Sequence, residues 1–116
     1  MNKDGDLLVF KKLYDLILLV WPVISRYPKH EKYVLQQSTK QELLNCLQNL
    51  VIAKKARSKR TYLIEADSSL QNSKVLFRLA KDLRYLSIKK YADISQSLVE
   101  IGRMLGGWIK KTYEKG

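Results

Sequence analysis

Apolar residues recur along this chain at spacings of three and four over four long stretches, the period of an amphipathic helix. Strand-like alternation never lasts more than a few residues, and no Asn-Gly or Asp-Gly hairpin signal occurs. The first stretch, 6–27, places Leu7, Phe10, Tyr14, Ile17, Trp21 and Ile24 on one face, while Leu13, Leu16, Leu18, Leu19 and Val20 spread apolar surface around the rest. A helix apolar on most sides is normally buried on most sides, which in a chain this short predicts an oligomer. Pro22 removes one backbone donor and crowds the preceding turn, so a kink is expected there.

Tyr27-Pro28-Lys29-His30 is the clearest break, and Pro28 suits the first turn of a new helix. The second stretch, 29–56, carries a seam of Leu43, Leu44, Leu47, Leu50 and Val51, while Gln36, Gln37 and Lys40 leave the register of its first half open. A basic turn from Lys54 to Arg60 leads into the third stretch, 61–85, whose inner side reads Leu63, Ala66, Leu70, Leu76, Leu79 and Leu83. Ser87 is an N-cap candidate for the fourth, 88–113, with Ile94, Leu98, Ile101, Leu105 and Trp108 on its inner face. Short connections make consecutive long helices antiparallel neighbours. The expected fold is all-α, an up-down-up-down antiparallel four-helix bundle formed by a single domain over 1–116.

Three glycines, Gly102, Gly106 and Gly107, interrupt the fourth helix. Glycine in a helix interior costs about 1 kcal/mol relative to alanine. The expected reason is a second backbone passing too close for a side chain, within the chain or between chains. Gly102, Gly106 and Gly107, with Trp21 and Trp108 as anchors, are therefore assigned to packing and assembly.

Charge narrows the class of partner. Twenty-two basic residues against 11 acidic ones give a net charge of +11 on 116 residues, which favours nucleic acid, an acidic protein or anionic lipid. The apolar run from Leu13 to Ile24 is broken by Asp15 and Pro22. It falls short of the ~20 residues that span a bilayer. The polar, acid-bearing start is unlike the basic head of a signal peptide. A soluble, cytoplasmic protein with no membrane partner is expected. Cys46 is the only cysteine, so one chain can form neither an internal disulfide nor a cysteine-based zinc site.

The chain has no phosphate-cradling glycine loop and no Glu-x-x-His metal pattern. His30 reads as an exposed helix-start residue, Asp15 as a solvent-facing or interface salt-bridge position, and Cys46 as a small hydrophobe near the second seam. No catalytic residue, metal or cofactor is expected. The basic residues are better organised. Lys74, Arg78 and Lys81 fall at i, i+4 and i+7, Arg84 lies just beyond, and Lys54, Lys55, Arg57 and Arg60 cluster at a bundle end. Like charges at that spacing repel by a few tenths of a kcal/mol per pair, roughly the size of any helical charge pair, so the stripe points to an anion-binding surface. With only Tyr62 and Tyr85 close by, binding is expected to be driven by phosphate contacts and to weaken steeply with salt.

Three segments carry a resemblance: Tyr27-Pro28-Lys29-His30-Glu31-Lys32, Leu79-Ala80-Lys81-Asp82-Leu83-Arg84-Tyr85-Leu86-Ser87, and Ile101-Gly102-Arg103-Met104-Leu105-Gly106-Gly107-Trp108-Ile109. They are similar to the accessory variability determinant (Avd) of diversity-generating retroelements. That family belongs to a wider group of four-helix-bundle proteins that includes those encoded in 23S ribosomal RNA intervening sequences. The resemblance implies a homopentameric barrel with a basic surface that binds the element's reverse transcriptase and nucleic acid, RNA or DNA. Such a protein supports mutagenic reverse transcription and retrohoming, while the catalysis belongs to the transcriptase. Carried onto this chain, it makes Lys81 and Arg84 the first candidate contacts and gives Arg103 either a partner or a brace across chains. Thr61 stands where relatives often carry proline, which weakens the expected sharp start of the third helix. The competing expectations are an intervening-sequence-type protein and a basic adaptor for acidic proteins.

Overall fold

The computed structural model describes residues 3–114. Met1 and Asn2, part of the polar start, lie outside them. Four helices, α1 (Lys3–Ser25), α2 (Gln37–Lys55), α3 (Arg60–Asp82) and α4 (Ile88–Glu114), form the bundle. Each packs against its two chain neighbours in a closed ring, α4 returning to α1. The body measures 47 × 25 × 19 Å, the length of its longest helix plus the turns.

One spacing rule generates the core. Val9, Leu13, Leu16, Val20, Ile24 and Tyr27 face inward from α1 and its end. Thr39, Leu43, Cys46, Leu50 and Ala53 do so from α2, and Leu63, Ala66, Leu70, Ser73, Phe77 and Ala80 from α3. From α4 come Ile94, Leu98, Ile101, Leu105 and Trp108, the five expected. These steps of three and four are the seam of coiled-coil-like packing. Small residues at Ala53, Ala66, Ser73 and Ala80 alternate with the large ones on α2 and α3, the most closely packed pair. Two buried hydroxyls are satisfied locally: Ser73 donates to the carbonyl of Ser69 at 2.9 Å and Thr39 to that of Leu35 at 2.7 Å.

Several inward assignments need correction. On α1, Leu7 and Tyr14 are exposed and Phe10 and Trp21 are only half-buried, because the true seam is rotated onto Val9, Leu13 and Leu16. On α2, Val51 is exposed and Leu44 and Leu47 are half-buried, with Cys46 and Ala53 taking the inner places. On α3, Leu79 and Leu83 are exposed and Leu76 half-buried, because the three-four rhythm continues through Ser73 and Phe77. Leucines displaced by one step looked more apolar than the serine that holds the register.

Boundaries shift at the connections. The segment after Pro28 is helical from Lys29 as expected. It begins with a 3₁₀ turn (Lys29–Glu31) and a widened π turn (Lys32–Gln36) before α2 proper. Gln36, buried, donates from Nε2 to the Tyr27 carbonyl at 3.0 Å and ties this turn to the end of α1. Pro22 lies in the last turn of α1, which ends three residues later at Ser25. Helix α3 stops at Asp82 instead of Tyr85, because Arg84 takes a left-handed conformation with φ 68°. The Arg84 amide reaches the Lys81 carbonyl and the Tyr85 amide that of Ala80, at 2.9 and 2.8 Å, a Schellman closure with arginine where glycine is usual. Ser87 caps α4 as expected, its hydroxyl accepting from the Lys90 amide at 3.0 Å.

The glycines do not meet a second backbone within the chain. A Cβ at Gly106 or Gly107 would have nothing within 4 Å. One at Gly102 would make ordinary contact with Leu70 at 3.5 Å and Gln71 at 3.8 Å. No backbone of the same chain explains them: Gly106 and Gly107 lie on the outer surface of α4.

Candidate functional site

Antiparallel topology sorts the cations into two ends of the rod. At one end the last turn of α2 and its turn into α3 bring Lys54, Lys55, Arg57, Lys59 and Arg60 beside the end of α4 with Lys110 and Lys111. Among the described residues, none of these seven joins a salt bridge. Their proximity shows at Asp6 on α1: partial burial raises its pKa, against the lowering pull of Lys59, Lys111 and Lys54.

Two of the cations at this end already have structural work. The Lys59 ammonium donates to the carbonyls of Ala53 and Lys54 at 2.7 and 2.9 Å and closes the end of α2. Arg60 donates to the Thr112 hydroxyl and carbonyl at 3.1 and 2.8 Å and lies 3.7 Å over the Tyr113 ring. It braces α3 against α4. Lys54, Lys55 and Arg57 are exposed.

The other end gathers the α1–α2 and α3–α4 connections. Tyr85 joins them. Its hydroxyl donates to Glu31 at 2.8 Å, a bond that, with burial, raises its pKa, and its ring sits 5.6 Å from that of Tyr27 and edge-on to His30. Lys74, Arg78 and Lys81 share one face of α3, but Asp82 tempers it, 3.9 Å from Arg78 and 3.3 Å from Lys81. Lys81 bends toward α4, its ammonium 4.8 Å over the ring of Tyr91. Arg84 projects from the left-handed turn, exposed. An open groove of about 1000 Å³ runs between the last turn of α3 and the first turns of α4, with Lys81, Arg84, Tyr85 and Tyr91 among its walls.

Nine cations assigned to binding therefore do not form one patch. Lys54, Lys55, Arg57 and Arg60 occupy one end and Lys81 and Arg84 the other, with Lys74 and Arg78 leading up the α3 flank. Arg103 stands apart on the outer face of α4 between Gly102 and Gly106. Sequence reasoning missed Tyr91 and Tyr113. Each is a tyrosine covered by a cation from a distant segment, a pairing that only the α3–α4 packing creates.

The flanks carry apolar surface. Leu18 and Leu19 on α1 are 61% and 62% exposed. Tyr14, Leu18, Trp21, Leu44 and Leu47 line a groove of about 470 Å³ between α1 and α2, and Lys40 caps the Trp21 ring at 4.8 Å. Trp108, by contrast, is a core residue. His30 and Asp15 are exposed as expected, Asp15 pairing with Lys11 at 2.8 Å, and Cys46 is buried. Among the described residues, no helix is long and apolar enough to cross a membrane.

Comparison with known proteins places this architecture. The chain is similar to a protein of unknown function from the S23 ribosomal protein family of Bacteroides thetaiotaomicron, with a TM-score of 0.83 at 18% identity over 91% of this chain and 98% of that one. At that identity the likeness shows the shared fold alone. No curated protein matches the chain. The model of the bAvd-like family matches residues 7–112, all four helices and both basic ends, and the chain belongs to that family.

Proposed function

We propose that this protein is a non-catalytic accessory factor of a diversity-generating retroelement. It assembles as a homo-oligomer, a pentamer by family resemblance, and its basic surface holds the element's reverse transcriptase and nucleic acid during mutagenic copying and retrohoming. The observation that carries this reading is the bAvd-like match over 7–112. The surface supports it: cations gather at both ends of the rod, and Lys54, Lys55, Arg57 and Arg84 are exposed to receive phosphate or acidic groups. Assembly is supported by α1, where Leu18 and Tyr14 face outward at the α1–α2 groove and Leu19 faces outward on the α4 side.

The test is co-expression with the reverse transcriptase encoded by the same genome, followed by purification through moderate salt. A stoichiometric complex is expected. It should be lost when Lys74, Arg78, Lys81 and Arg84 are replaced by glutamine in a chain that keeps its helicity. Clean separation of the two native proteins would reject the accessory role.

A further inference from the structure

The groove at the α3–α4 corner has a composition that phosphate binding alone does not explain. A phosphate calls for donors and positive charge, which Arg84 and Lys81 supply, with Asp82 on the same wall 3.3 Å from Lys81 offsetting part of it. The same groove is also walled by Tyr85, Tyr91 and Ile88, and Ile88 is 80% exposed. The Tyr85 hydroxyl is engaged with Glu31, so what Tyr85 has left to offer a ligand is ring surface. Arg84 holds a left-handed backbone conformation that glycine would adopt without strain. Backbone outliers of this kind cluster at binding sites, and here the outlier carries a guanidinium at the rim of an aromatic groove.

Aromatic faces beside arginine and lysine are how proteins hold unpaired nucleotides: bases stack, and cations follow the backbone. A duplex offers phosphates but keeps its base faces covered. We propose that the α3–α4 corner is a subsite for an unpaired nucleotide of a single strand. The base displaces the Lys81 ammonium from the Tyr91 ring and lies against Tyr91, Tyr85 and Ile88, while Arg84 and the released Lys81 receive the adjoining phosphates. The inference rests on the nucleic-acid part of the proposed function and adds to it a preference for single strands.

The experiment is fluorescence anisotropy at low salt on the full chain, with a labelled thymine homopolymer and a labelled blunt-ended duplex of equal phosphate number. Tyr91→Leu removes the ring but keeps apolar bulk, and it should weaken single-strand binding about ten-fold while leaving the duplex unchanged. Should Tyr91→Leu disturb folding by circular dichroism, Ile88→Ser on an exposed position gives the same comparison with a smaller loss. Equal binding of both probes, indifferent to either variant, overturns the subsite and leaves a general basic surface. No binding of either probe overturns the nucleic-acid reading as well. If the variants spare single-strand binding but weaken reverse-transcriptase co-purification, a protein segment occupies the groove and the subsite is rejected.

Discussion

At the residue scale, conformation and ionisation each set a measurable quantity. Arg84, at φ 68°, occupies a region that costs a non-glycine residue about 1 kcal/mol or more. Arg84→Gly should raise unfolding stability by about that amount in urea titrations, because the Schellman closure survives and the strain disappears. An unchanged or lower midpoint would mean that the arginine side chain secures the turn. Cys46 and Tyr27 work through protons. Burial pushes both pKa values up to about 12, with Asp67 adding to the shift at Cys46, and the Tyr27 hydroxyl is buried without a partner. Both groups are neutral in the folded chain and ionise earlier in the unfolded one. Their stabilisation is therefore complete below their ordinary values of about 8.5 and 10 and is lost as pH rises toward 12. Urea midpoints should fall between about pH 8 and pH 11, and less so for Cys46→Ala.

At the element scale, α3 is the instructive case. Leu79 and Leu83 attract attention as core residues by type, yet the helix turns Ser73 and Phe77 inward. Phe77→Ala should cost about 3–5 kcal/mol, whereas Leu79→Ala should cost about 1 kcal/mol or less. Equal losses in thermal or chemical unfolding would contradict this register. The lesson is physical. Periodicity revealed all four helices and the α4 seam, where the strongest apolar residues and the three-four rhythm coincide. It misjudged positions on α1, α2 and α3, where leucines lie on more than one face and only packing against neighbours selects among them. The cationic half of the candidate site was legible as charge clusters. Its aromatic half was not, since Lys81 and Tyr91 meet through the α3–α4 turn and Arg60 and Tyr113 through helix packing across the whole α3–α4 hairpin.

At the scale of the whole molecule, the outer face of α4 separates a monomer from an assembly. In the single chain a Cβ at Gly106 meets nothing within 4 Å, so Gly106→Leu should strengthen α4 by about 0.5–1 kcal/mol through helix propensity alone. If that face is an interface, the same change should instead lower the molar mass in solution, which light scattering reads directly. An intact, more stable oligomer would remove the glycines from assembly. The two ends of the rod also differ in how firmly they are fastened. One is locked by Arg60 on Thr112 and Tyr113 and by Lys59 on the carbonyls of α2. The other begins with a 3₁₀ turn that passes into a π turn before α2 settles into its regular ladder, and Tyr33 and Val34 there face solvent. The ladder changes its reach there, so this segment is expected to open at a fraction of the global unfolding free energy. Amides of 31–36 should exchange with deuterium far sooner than those from Leu43 to Leu50. Such an opening would part Glu31 from the Tyr85 hydroxyl and leave that ring free to reorient. The rod is then expected to be stiff at the Arg60 end and compliant at the Tyr85 end.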